Sequence, residues 1–370
     1  MTSPIVVSLT PAVFHLSERV NEVARTYGAH PIVPRGPRLA PLIHSVRRGI
    51  REALGAPSFE PVLLTGTGST AMGAVLASCL GPDERLLVVR NGAYGDRLFE
   101  YATRLGQPVV DMALPYGERP DVAAIEDLAA RGEIDAIAVV YGGTSTCTLN
   151  PVPEIGRVAT THRKKLLVDG VSSLFVEPMD LEGWGISAVM GSCNKGLHSH
   201  PNLTMALLRR DLVDEMQRIP QRAPSLELSK ILRAQVEGSH PYTIDPMSLL
   251  MVEAALAHLA DQGGVAGRNA IYQRRCEVLR AGYERLGLRI ARWPDMPLGS
   301  IGTALHIPKG ATYDDMARRL STEPVGGHVF EIYAAQGKLS SELFRIFHMG
   351  DYPIEVYSVF LEALARVLPT

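Results

Sequence analysis

The sequence has little of what several protein classes require. Cysteine occurs only four times in 370 residues, as Cys79, Cys147, Cys193 and Cys276, with no Cys-x-x-Cys pair. Neither a disulfide framework nor a zinc site is indicated, and the thiols are expected to be reduced. No apolar run is long enough to span a bilayer, and the opening MTSPIVVSLTPAVFHLSERV lacks the basic start and apolar core of a signal peptide. The cytoplasm is therefore the expected location. Charge of neither sign dominates: 37 Lys+Arg stand against 39 Asp+Glu, with no long block of like charge. That removes the usual reason to expect nucleic acid or an acidic membrane surface as a partner and leaves a small molecule open. No internal repeat or low-complexity tract is seen.

What is present is apolar patterning. At 46% hydrophobic content the chain can bury a sizeable core, and its length suggests two or three folding units. Apolar residues recur at helical spacing in LSERVNEVARTYG and PLIHSVRRGIREALG, joined by HPIVPRGPRLAP, a loop carrying Arg35 and Arg38. From residue 61 the pattern changes to short apolar runs, PVLLT, RLLVV, QPVVDMAL, IDAIAVVY, KLLVD, ISAVMGS and LTMALL, alternating with amphipathic helices. Continuous runs of this length fit strands buried on both faces, so the fold class is α/β with a mostly parallel sheet flanked by helices. A helix near SLLMVEAALAHLADQGG leads out of this sheet. Beyond about residue 265 a strand (TALHIP), a helix (YDDMARRL), a strand (HVFEIYA) and a terminal helix (IEVYSVFLEALARVL) describe a smaller α+β unit. The expected division is an N-terminal arm over 1–20, a large domain over 21–260 and a small C-terminal domain over 261–370.

Three segments carry chemistry. TGTGSTAMGA at 65–74 follows a strand and opens a helix, so free N–H groups, close approach at Gly66 and Gly68, and the Thr67, Ser69 and Thr70 hydroxyls make a phosphate site. The same Gly66-x-Gly68-x-x-Ala71 spacing fits a dinucleotide fingerprint, which wants an acid near the end of the next strand. That strand ends instead in Arg90-Asn91, where Arg90 would have to meet an NADP phosphate. A glycine-rich turn without a ligand is the third reading of the segment. LLVDG at 166–170 ends a buried strand in Asp169, which either faces a ligand or caps the next element. GSCNKG at 191–196 delivers Lys195 among small residues, where crowding and desolvation favour the neutral, nucleophilic amine; otherwise it is solvated surface. A phosphate loop, a strand-end Asp and a later strand-end Lys, in that order, match what pyridoxal phosphate (PLP) demands of a protein.

These segments, together with NGAYGDR, GGTSTCTLNP, LLVDGVSS and IYAAQGKLSSELFRIFHMGD, resemble in sequence and order the class V aminotransferases of PLP fold type I, nearest to the 2-aminoethylphosphonate–pyruvate branch. The resemblance covers roughly residues 60–360. It implies that Lys195 forms a Schiff base with PLP and serves as general base and acid, and that Asp169 keeps the pyridine nitrogen protonated. It implies further that Tyr94 stacks on one face of the ring and Val171 packs on the other. Thr67, Gly68, Ser69, Asn194 and Thr243 of the partner subunit would hold the phosphate in a homodimer, Thr144 would reach the ring's 3′-oxygen, and Arg345 would take the substrate carboxylate. The implied reaction moves an amino group between a small amino compound and a 2-oxo acid such as pyruvate, in a ping-pong cycle.

Departures from the family pattern gather near the presumed substrate. The Pro-Gly-Pro opening of relatives is replaced by TPAVFHL at 10–16, a Glu by Gly143, a Gly by Cys147, and a Pro-Gly by Pro201-Asn202. An Asn in place of Gly would need the left-handed conformation to keep close backbone approach. His198 and His200, beside Lys195, are candidates for an anionic substrate end or for extra acid–base groups, and equally for ordinary loop hydrogen bonds. Nothing in the sequence lowers the Cys147 pKa. The rebuilt pocket keeps a PLP-dependent lyase open, and the Gly66 loop keeps an NADP-binding oxidoreductase open.

Overall fold

A computed structural model of the chain describes residues 3–369. Positions 1 and 2 of the expected arm and position 370 of the C-terminal unit lie outside the described residues. The seven apolar runs from residue 61 become seven strands of one sheet: β1 (Phe59–Thr65), β2 (Leu86–Arg90), β3 (Val109–Ala113), β4 (Ala136–Val140), β5 (Lys165–Asp169), β6 (Ala188–Ser192) and β7 (Leu203–Arg209). Their spatial order is β1-β7-β6-β5-β4-β2-β3. β7 runs antiparallel to both neighbours and every other pair is parallel.

The sheet separates two cores by the period of two in its strands. Leu87, Val89, Ile137 and Val139 face one core, closed by the helices Leu39–Leu54 and Pro246–Asp261. Leu86, Val88, Ala136, Ala138 and Val140 face the other, closed by Gly68–Ser78 and Ala93–Arg104. Coverage on both sides is why these strands read as unbroken apolar runs rather than as alternation. Because β1 is antiparallel to β7 and β7 to β6, the carboxyl ends of β1, β2, β4, β5 and β6 lie along one edge, which therefore collects the loops that carry polar chemistry.

The C-terminal unit is built on an antiparallel sheet of β8 (Gly302–His306), β9 (Tyr333–Ala334) and β10 (Leu343–Phe347), in the order β8-β10-β9. Two features differ from the expectation. LFRIF forms β10, wholly buried, although its apolar run is interrupted by Arg345 and so marks no strand in the sequence. HVFEIYA, expected as one strand, divides: His328–Glu331 and Tyr333–Ala334 join different sheets, with Ile332 buried between them.

The N-terminal segment is also more than an arm. Ile5–Ser8 pairs parallel with His328–Glu331, and Val7 and Leu9 are fully buried among Phe330, Phe344 and Phe360. Leu9 donates its N–H to Glu331 and accepts from the Phe347 N–H, so the segment completes the core of the C-terminal unit. The helix Pro246–Asp261 gives way to the helix Gly264–Arg285 through Gly263 and Gly264, both at positive φ (89° and 73°). Leu9→Ala should therefore cost about 3 kcal/mol in urea unfolding, the range for a truncated core leucine, whereas Ile5→Ala, at an exposed position on the same strand, should stay within about 0.5 kcal/mol.

Candidate active site

The phosphate-type loop forms as its residues dictate. Gly66 sits at φ +135°, and a Cβ there would lie 2.3 Å from the Thr70 Oγ1; that hydroxyl accepts from the Thr67 N–H at 3.2 Å and closes the start of the helix Gly68–Ser78. A Cβ on Gly68 would lie 2.7 Å from both Val171 methyls, so only glycine lets this helix end come up against Val171. The first N–H groups of a helix have no partner within it and carry its positive dipole end. They open here onto a cavity of about 190 Å³.

Eight residues singled out in the sequence meet around that cavity: Thr67, Gly68, Ser69, Tyr94, Asp169, Val171, Asn194 and Lys195. Adjacent parallel strands β5 and β6 deliver Asp169 and, through Ser192-Cys193-Asn194, Lys195. Met72 and Arg97 complete the wall and escape the motif reading. Arg97 lies one helical turn after Tyr94, so i,i+3 spacing was the available signal. Its guanidinium sits 4.8 Å from the Tyr94 ring centroid and donates to the Ser69 Oγ at 3.1 Å.

The electrostatics follow from burial. Desolvation drives the Asp169 carboxyl up to about 6, against the pull of the Val171 N–H on its Oδ1 at 2.9 Å and of Lys195 and Arg97. Desolvation lowers the Lys195 amine; Tyr94 and Asp169 oppose this and Arg345 and Arg97 add to it, leaving the pKa below its ordinary value. Burial raises the Tyr94 phenol, but Lys195, a hydrogen bond with Gln336 and Arg97 outweigh it and the net shift is downward. The Lys195 Nζ donates to the Pro11 carbonyl. These residues fit PLP: a helix start with hydroxyls for the phosphate, a buried carboxylate for the ring nitrogen, Tyr94 and Val171 to confine the ring, and an amine. Thr144 is fully buried with an unpartnered hydroxyl but is not among the residues that line the cavity.

The remaining candidates lie outside the cavity wall. Arg345, buried on β10, donates from Nη1 to the Thr144 carbonyl at 2.8 Å and from Nε and Nη2 to that of Ala334 at 3.1 and 2.7 Å. Two of its five N–H groups stay available to a carboxylate. His198 is turned away: its Nε2 meets the Tyr272 hydroxyl at 2.6 Å, and burial with Arg268 and Arg275 pushes its pKa well down, so it is a neutral interior residue. His200 is half-buried, its Nδ1 enclosed and without a partner, and it does not line the cavity. Thr243 is exposed, and its carbonyl accepts from the Thr65 Oγ1 at 3.5 Å, at the outer end of β1.

Asn202 does not take a left-handed conformation; His198 and Cys147 do, each at φ 60°. Asn202 accepts the Gly66 N–H through its own carbonyl at 2.9 Å, so it anchors the phosphate loop from behind. Burial pushes the Cys147 thiol up to about 12, which argues against a thiolate nucleophile there. Arg90 is engaged by Asp96 at 3.0 Å and Asp111 at 2.6 Å and is not free for an NADP phosphate.

A family model described as "Aminotransferase class-V" matches residues 22–265. The chain is 34% identical over 342 residues to the 2-aminoethylphosphonate–pyruvate transaminase of Salmonella paratyphi B, covering 89% of this chain and 88% of the relative. Among solved structures it is similar to the aspartate aminotransferase of subgroup IV from Thermus thermophilus, at 26% identity and TM-score 0.86 over 98% of this chain and 100% of that one. The pyridoxamine–pyruvate aminotransferase of Mesorhizobium loti, at 25% identity and TM-score 0.87, covers 99% of this chain and 92% of its own.

The raised Asp169 pKa carries a stability signature. Its folded value of about 6 exceeds the ordinary 3.8, so folding favours the protonated carboxyl, and this contribution is lost as pH rises through about 6. Asp169→Asn should stabilise the cofactor-free protein at about pH 8 by about 3 kcal/mol, with little change at about pH 4. The same variant should bind PLP at least about 10-fold more weakly, since the ring nitrogen loses its counter-charge. Denaturant unfolding at the two pH values and a PLP titration check both outcomes.

Proposed function

As a member of the class V aminotransferase family, to which this chain belongs, the protein is a PLP-dependent aminotransferase of fold type I, and we propose that it moves an amino group from a small amino compound to pyruvate or a similar 2-oxo acid. The donor to try first is 2-aminoethylphosphonate, the compound named in the Salmonella relative. The observation that carries the reading is the convergence of Lys195, Asp169 and the helix start at Gly68 on one cavity.

Bound PLP supplies a carbonyl that exchanges with amines and a ring that accepts electrons from the substrate's carbon. The protein's residues do the rest. Lys195, whose pKa burial lowers, gives up its proton more readily than a solvated lysine and moves the proton to and from the substrate carbon at its Nζ. Asp169 holds a negative charge in a dry site, where it acts most strongly on a cationic ring nitrogen. Tyr94 and Val171 confine the ring from its two faces. Thr67, Gly68, Ser69 and Asn194 bind the phosphate, joined by Thr243 of the partner subunit; the exposure of Thr243 on its own chain suits that role in a homodimer. Thr144 meets the ring's oxygen and Arg345 takes the substrate carboxylate with its free N–H groups. The cytoplasm is the proposed location; among the described residues no helix is long and apolar enough to cross a membrane.

Borohydride reduction followed by peptide mapping should place the pyridoxyl group on Lys195, and a label elsewhere would overturn that residue's role. Adding 2-aminoethylphosphonate to the holoenzyme should convert the bound cofactor to its amino form, with pyruvate restoring the original spectrum. Absence of that response, with a response to another amine, would move the donor assignment. Arg345→Ala should raise the KM for pyruvate by about 100-fold, the loss of a charge-assisted pair.

A further inference from the structure

We infer that Arg268, with Tyr272 one helical turn on, is a positioning residue for Lys195: the helix Gly264–Arg285 clamps the turn that carries the amine. This rests on the reading of Lys195 as the cofactor's residue. A lysine side chain is a long flexible stem, so the place of its Nζ depends on how firmly its own backbone is held.

The turn cannot anchor itself. Lys195 is followed by Gly196, where a Cβ would lie 2.2 Å from the Leu174 carbonyl, so no side chain is tolerated there. His198 closes the turn by donating its N–H to the Lys195 carbonyl at 2.9 Å, and Ser199 donates to Cys193 at 2.9 Å. His198 does so at φ 60°, a conformation that a non-glycine residue holds only when its surroundings enforce it. On one side the Val13 N–H binds the Asn194 carbonyl at 2.8 Å.

The other side is gripped by the helix. Arg268 is fully buried, and its Nη1 donates to the Gly196 carbonyl at 2.6 Å, next in sequence to Lys195. Its Nε donates to the Gln262 side chain and its Nη2 has no partner. Among the described residues no carboxylate forms an ion pair with it. A guanidinium in so dry a place without a directly paired carboxylate, Asp351 acting on it only from a distance, is a poor choice for packing alone, since an apolar side chain would fill the volume at lower cost. What an apolar residue could not do is hold the Gly196 carbonyl. Tyr272, also fully buried, holds the far end of the same turn through the His198 Nε2 at 2.6 Å. Two residues on one face of the helix thus grip the turn at the positions one and three after the lysine.

The test compares Tyr272→Phe and Arg268→Lys, which keep the packing, with Arg268→Met. Amide exchange over residues 193–200 is followed in the cofactor-free protein, alongside thermal melting, and kcat and KM are measured in the holoenzyme. Both conservative variants should melt as the wild type does. Their His198 and Ser199 amides should exchange about 10-fold faster, a local opening without global unfolding. Their kcat should fall about 10-fold with KM within about 2-fold, as expected when a reacting group is misplaced while substrate binding is left intact. Arg268→Met should show the larger effect if it folds. Wild-type kcat in both conservative variants, or a fall in kcat without faster exchange, overturns the inference whatever Arg268→Met does. Borohydride mapping on the same preparations keeps this separate from the assignment of Lys195: a label on Lys195 with unchanged kcat sinks only the clamp.

Discussion

A carboxylate and an amine held out of water at the ends of two adjacent strands are the constraint on which the site depends. Burial disfavours the charged form of both groups, raising Asp169 and lowering Lys195, and their mutual attraction only partly offsets this. The pocket thus holds a carboxyl and an amine whose charged forms are both disfavoured by burial. The protein can sustain it because β5 and β6 are buried on both faces and paired along their length, so neither side chain can retreat to solvent.

The rest of the molecule reads as support for that pair. The helix Gly68–Ser78 turns its dipole and free N–H groups to the same cavity, and Asn202, at the start of β7, holds the loop before it. The C-terminal unit contributes from the other direction, through Arg345 on β10 and through the helix whose Arg268 and Tyr272 grip the lysine turn. The N-terminal segment ties these together: its strand completes the C-terminal core, and a few residues later Pro11 and Val13 bind Lys195 and Asn194. Movement of the C-terminal unit would therefore be felt at the amine through its backbone as well as through the substrate.

Much of this could be read from the residues in order. The seven strands were legible because strands buried on both faces leave unbroken apolar runs, and the cavity residues because loops at one sheet edge keep their motif spacing. Three things were not legible. Arg345 broke the apolar run of β10 and disguised a buried strand, because a charged residue satisfied by carbonyls reads in sequence as surface. The N-terminal strand looked like an arm, because four residues have no periodicity until the partner at 328–331 supplies it. His198 looked like a pocket residue through nearness to Lys195, yet its left-handed backbone turns the ring to Tyr272, some seventy positions away in the chain.

By itself, then, the sequence determined the α/β architecture, which follows from apolar period, and, through motif order and family resemblance, the cofactor class, with Lys195 and Asp169 as its candidate residues. Only the tertiary structure decided which way each side chain on those loops points and what holds the lysine turn. Those depend on contacts between residues far apart in the chain, such as Arg268 with Gly196 and Arg345 with Thr144, which no local spacing records.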